Sequence, residues 1–138
     1  MRKIKNLIAV VLVLACVLSL AACGKSVDLW KDATYVEDTT LGEGATNISV
    51  TVTAQEKSVV FTINTDKTIL SEALLEHELI SGDVGEFGIY IKYVNGIRAD
   101  YDIDMAYWGL KVNGEFAMTG ADGVQIENGG NYELVYTK

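Results

Sequence analysis

The sequence predicts an α+β domain: a β-grasp-like mixed sheet made of a hairpin, one covering helix and then several short strands. Two alternating apolar runs joined by a short polar turn supply the hairpin. A single stretch of helical periodicity follows, and after it come strands punctuated by two Asn-Gly pairs. That order places residues 47–138 in one folded unit.

In the hairpin, Ile48, Val50 and Val52 alternate with Ser49, Thr51 and Thr53, the pattern of a strand buried on one face. After Gln55-Glu56-Lys57, Val59, Phe61 and Ile63 continue the same two-residue period. The helix is expected over about Ile69 to Leu79, with Thr68 as its cap and Ser81-Gly82-Asp83 as its end. Ile69, Leu70, Ala73, Leu74, His77 and Ile80 would share its inner face. Phe87, Ile89, Ile91 and Tyr93 give a third strand ending in Asn95-Gly96. Trp108, Leu110 and Val112 give a fourth, turned by Asn113-Gly114 into Glu115–Met118. Tyr132, Leu134 and Tyr136 form the last strand.

The first 22 residues read differently. Arg2, Lys3 and Lys5 precede an apolar run from Leu7 to Leu20, the charged and apolar regions of an export signal. The run is shorter than the ~20 residues a spanning helix needs. It ends in Leu20-Ala21-Ala22-Cys23-Gly24, which resembles the signal of bacterial lipoproteins. That resemblance implies cleavage before Cys23, a diacylglycerol on its thiol, and a mature chain lipid-anchored on the extracytoplasmic face of the cell membrane. Residues 23–46, acidic and without periodicity, are then expected to form a flexible tether; its Leu29-Trp30 and Tyr35-Val36 pairs read first as isolated aromatics, the alternative being an extra edge segment packed on the domain or a partner contact.

Charge and cysteine usage exclude several functions. From Cys23 onward the chain carries eight basic against nineteen acidic residues, −11 in all, which repels nucleic-acid backbones. The chain's two cysteines, Cys16 and Cys23, both precede the domain, so neither a disulfide nor a thiolate metal site is expected within it. His77 is the one histidine and reads as a helix-end residue at the core edge, without a second histidine or cysteine to share a metal. Asp100, Asp102 and Asp104 suggest a calcium loop, but an EF-hand would need Gly and Glu where Met105 and Lys111 stand, so they read as a solvated acidic loop. No nucleophile pattern, phosphate loop or metal set is legible, and an enzyme is not expected.

The candidate contact surface is centred on Tyr107-Trp108. Adjacent strand residues face opposite sides, so Trp108 is assigned to the core and Tyr107 to the surface. Gly109 beside Tyr107 would leave room for a flat group against the sheet. Asn113, Gly114 and Phe116 complete the candidate set.

Four segments in order, Phe87-Gly88-Ile89-Tyr90 with Val94-Asn95-Gly96-Ile97, Tyr107-Trp108, Val112-Asn113-Gly114-Glu115 and Tyr132-Glu133-Leu134, resemble the C-terminal β-domain of the transcobalamin and intrinsic-factor family, found in bacteria as the lipoprotein domain DUF4430. In the vitamin-carrying relatives this domain closes over one face of a corrinoid held by a separate helical domain. The resemblance therefore implies a ligand or partner near Tyr107, Trp108 and the 113–114 hairpin, with cobalamin as the candidate ligand and a membrane transporter component as a candidate partner. Two readings stand: an anchored module accessory to corrinoid capture or uptake, and a cell-envelope protein-interaction domain with no small-molecule ligand.

Overall fold

The computed structural model describes residues 26–138, so the export signal expected over 1–22 and the lipidation expected at Cys23 lie outside the described residues. Nine strands and two short helices build a mixed α+β fold. The strands are β1 (Thr39–Leu41), β2 (Thr46–Ala54), β3 (Lys57–Thr65), β4 (Ile80–Gly85), β5 (Gly88–Val94), β6 (Ile97–Arg98), β7 (Tyr107–Val112), β8 (Glu115–Phe116) and β9 (Asn131–Thr137). The helices are α1 (Leu70–Glu76) and α2 (Tyr101–Asp104).

The strands divide between two sheets. One has six strands in the order β1-β3-β2-β9-β7-β8; the other has three, β4-β5-β6. The β2–β3 hairpin pairs from Thr46↔Thr65 to Ala54↔Lys57, and β9 lies parallel to β2 and antiparallel to β7. Its two-residue period puts Ile48, Val50, Val52, Val59, Phe61, Ile63 and Leu134 into one core without solvent contact. Leu70, Ala73 and Leu74 of α1 are buried in the same cluster.

The helix is shorter than expected. Ile69, not Thr68, occupies its cap position and makes no side-chain cap bond, because Ile69 bridges to Gln125 and the Thr68 carbonyl accepts from the Ile126 N–H. At its other end Glu78 takes a left-handed φ of 53° and releases the chain. Ile80 and the Ser81-Gly82-Asp83 run consequently belong to β4, where Ile80 pairs with Val94. The short α1 stops because Ile80 is taken up by a strand.

The expected tether is also corrected. From Asp28 onward the chain is folded against the domain. Asp28 accepts a hydrogen bond from the Trp30 N–H and starts a 3-10 turn over Leu29–Asp32. Trp30 is only 7% exposed, and its indole Nε1 donates to the Ala54 carbonyl at 2.9 Å. The Gln55 side chain grips the same segment, donating to the Val27 carbonyl and accepting from the Leu29 N–H. Tyr35 packs edge-on against Phe61, and β1 adds to β3 in parallel. An isolated tryptophan without periodicity carries no pattern, yet burying it on a hairpin end is favourable enough to order its neighbours.

Candidate functional site

The two sheets meet along β5 and β7, and a groove of about 520 Å³ opens there. Ile89 and Ile91 of β5 form one wall, and Trp108 and Leu110 of β7 form the other. Tyr101 of α2, Tyr107, Ala117 and the segment Thr119–Ala121 complete the lining. The lining is mostly apolar, with few polar groups to fix an orientation. Such surfaces suit flat or extended apolar groups.

Asp122 holds this arrangement together. Its carboxylate accepts from Ser71 Oγ of α1 at 3.0 Å and from the Ile89 N–H of β5 at 2.7 Å. One side chain thus ties the helix, the small sheet and the groove wall.

The candidate residues separate in the structure. Tyr107, Trp108, Gly109 and Phe116 all border the groove. Tyr107 is exposed, whereas Trp108 is 8% exposed and packs edge-on against Tyr136. The Trp108 indole Nε1 is buried without a hydrogen-bond partner. The space expected above Gly109 is taken: a Cβ built there would lie 3.2 Å from the Phe116 ring. Lys111 in turn places its ammonium 4.9 Å from the centre of that ring.

Asn113 and Gly114 do not join the groove. Both have positive φ, the geometry of a tight hairpin, and Asn113 is tied to Asn131 through its N–H and its side-chain oxygen. Their role here is to turn β7 into β8. Sequence reasoning missed Ile89, Ile91, Tyr101 and Leu110, because alternating apolar residues on strands look like ordinary core until the second sheet is seen to stand apart.

The acidic run Asp100-Asp102-Asp104 is not a solvated loop but the short helix α2. Asp100 caps it by accepting from the Asp102 N–H, and its other oxygen lies 3.3 Å from Lys92 Nζ. Both oxygens of Asp104 accept from Arg98, at 2.9 and 3.0 Å. The Arg98 guanidinium and the Asp100 N–H hold the Asp104 carboxyl below its usual value. Lys92, bonded to Asp83 and then Asp100, is raised above the ordinary lysine value. Burial raises the Tyr136 hydroxyl. The carboxylates of Asp100 and Asp104 are occupied by separate partners, Asp102 is exposed, and among the described residues no group of three or more His, Cys, Asp or Glu converges on a metal-sized site. His77 Nε2 lies buried under Gly42, 3.7 Å from a Glu76 oxygen.

Comparison with known proteins gives this geometry relatives. A family model described as domain of unknown function DUF4430 matches residues 66–138. Among solved structures, a candidate metal-binding protein from Ruminococcus gnavus superposes with a TM-score of 0.64 at 32% identity, over 68% of this chain and 98% of that one. Haptocorrin in complex with Cbi superposes with a TM-score of 0.51 at 25% identity, over 67% of this chain. The chain spans 25% of haptocorrin's length. No protein of curated function matches it. The family match and these superpositions together establish that the chain belongs to the DUF4430 family and is related to the transcobalamin-like proteins.

Proposed function

We propose that this protein is a non-enzymatic binding module, anchored through a lipid on Cys23 at the extracytoplasmic face of the cell membrane, whose β5–β7 groove takes a corrinoid or a related flat ligand. The observation that carries the reading is the groove: an apolar recess of about 520 Å³, lined by strands of a domain related to one that occurs in a complex with Cbi, a cobalamin precursor. Its shortage of polar lining suits contact with a ring face more than recognition of a charged solute. We read the topology as grasp-like, a hairpin and helix followed by a strand parallel to β2. A transporter component of the same membrane would complete the capture.

The test is retention of coloured cobalamin or Cbi by the chain from Gly24 onward on gel filtration, alone and with detergent-solubilised membranes. Ile91→Glu, which puts a charge on the groove wall, should abolish co-elution while leaving the circular dichroism spectrum intact. Absence of co-elution in both settings overturns the corrinoid reading. The second reading, a protein-interaction domain, is favoured by the exposed aromatics Tyr107 and Phe116 beside the groove. It requires a dominant membrane partner that Tyr107→Ala loses in pull-down.

A further inference from the structure

The strand directions give the molecule two distinct ends. β2 and β9 run toward the Gln55–Lys57 turn, and β7 starts there, since Tyr107 pairs with Thr137 and Thr53 with Val135. The Asn113-Gly114 turn lies at the other end of β7, roughly 17 Å away at the usual strand rise.

The chain enters at the first end. Gln55 grips Val27 and Leu29, and Trp30 is bonded to Ala54. Val27, Leu29 and Lys31 share a recess with Arg98 and Asp104, which brings α2 to this end as well. Ser26 follows Cys23 by three residues, a stretch that reaches at most about 11 Å. A lipid on Cys23 would therefore leave this end no freedom to stand far from the bilayer.

The surface at this end is unlike the rest. On α2 and just after it, Tyr101, Ile103 and Met105 are 56%, 64% and 69% exposed, and Tyr107 stands beside them. No buried apolar residue of α2 explains these side chains as core. Four of the eight basic residues after Cys23 (Lys31, Lys57, Arg98 and Lys138) lie here, all exposed. Against them stand Asp28, Asp32, Glu56, Asp100, Asp102 and Asp104, six of the nineteen acidic residues. The end is thus close to balanced, and most of the −11 of the mature chain falls elsewhere.

We infer that this end is a membrane-docking face, with Tyr101, Ile103, Met105 and Tyr107 resting in the headgroup layer of the bilayer that holds the Cys23 lipid. The inference rests on the anchored reading above. Short apolar and aromatic protrusions suit the interfacial layer, where one side of the ring is wet. Lys31, Lys57 and Lys138 can reach phosphate groups with their flexible stems, and the acidic remainder is held off an anionic surface by its own charge. Tyr101 and Tyr107, which also line the groove, then bring its border to the bilayer surface.

The experiment uses the full chain, produced in a bacterial host and reconstituted in phosphatidylethanolamine–phosphatidylglycerol vesicles. Ile103→Cys and Asn113→Cys each carry an environment-sensitive fluorophore, and mass spectrometry reads the state of Cys23. Position 103 is exposed, so labelling there leaves the fold untouched. With Cys23 acylated, the label at 103 should shift to the blue and be quenched by doxyl lipids, and the label at 113 should do neither. Acylated protein with both labels in water overturns the docking face and leaves the anchor intact. A label at 103 that is wet in vesicles but shielded in native membranes assigns the face to a protein partner and overturns the lipid reading. An unacylated Cys23 overturns the anchor and the docking face together.

Discussion

Replacing Trp30 by alanine tests whether the N-terminal segment belongs to the folded unit. The indole is 7% exposed, donates to the Ala54 carbonyl and lies 4.8 Å from Lys57 Nζ. Burying about 250 Å² of aromatic side chain at about 25 cal/mol/Å² gives roughly 6 kcal/mol as an upper bound. Measured tryptophan-to-alanine losses of about 3–5 kcal/mol are the better guide. The 113 described residues support a total stability of only about 6–17 kcal/mol. The substitution should thus remove a large share of it, lowering the urea midpoint by about 2 M at a slope near 2 kcal/mol/M. Trp30→Phe keeps the ring but strands the Ala54 carbonyl, for a loss of about 1–2 kcal/mol. Val36→Ala, on an exposed residue of the same segment, should change stability by less than about 0.5 kcal/mol. Equilibrium unfolding of the chain from Gly24 onward reads all three. If Trp30→Ala costs less than about 1 kcal/mol, the segment is not part of the cooperative unit, and the tether expected from its composition is restored.

Two more predictions follow from local geometry. Gly42 has φ of 73°, and a Cβ there would run into the Asn64 carbonyl and the His77 ring, whereas Gly114, at φ of 87°, faces open space. Gly114→Ala should lose only the backbone term of about 1–2 kcal/mol, and Gly42→Ala clearly more, by thermal unfolding; equal losses would contradict the close seat of residues 42–44 on β3. Asp104 is depressed by Arg98 and by the Asp100 N–H, so its contribution to stability is complete above its ordinary value of 3.8 and is lost as the pH falls through the lower folded value. Asp104→Asn should flatten that acid limb in pH-dependent unfolding, and an unchanged limb would refute the pairing.

The legibility of the fold followed periodicity. Val50, Val52, Phe61, Ile63 and Leu134 announced their strands because one face meets core and the other meets water. β4 did not, since Ser81 to Gly85 are all exposed and the register shifts between Ser81 and Gly82. Ser-Gly-Asp has the chemistry of a turn, and only its pairing with β5 makes it a strand. Asp100 and Asp104 read as a loop because a four-residue helix has no periodicity to detect, and its order comes from Arg98 and Lys92. In the site, Tyr107 and Trp108 were legible as an aromatic pair on a strand. Ile89, Ile91 and Leu110 were not, because a groove wall and a core wall have the same composition until the facing sheet is placed.

The position of β9 bears on the order in which the molecule is made. It lies between β2 and β7, and it alone joins the β1–β3 half of the large sheet to the β7–β8 half. Val50 meets Tyr132 across 82 intervening steps of chain, so the sheet stays in two pieces until residues 131–137 arrive. A chain emerging N-terminus first therefore stays threadable, with β2 and β7 unpaired on one side, until nearly all of it has passed. Nascent material cut before Asn131 would expose two bare edges to other chains.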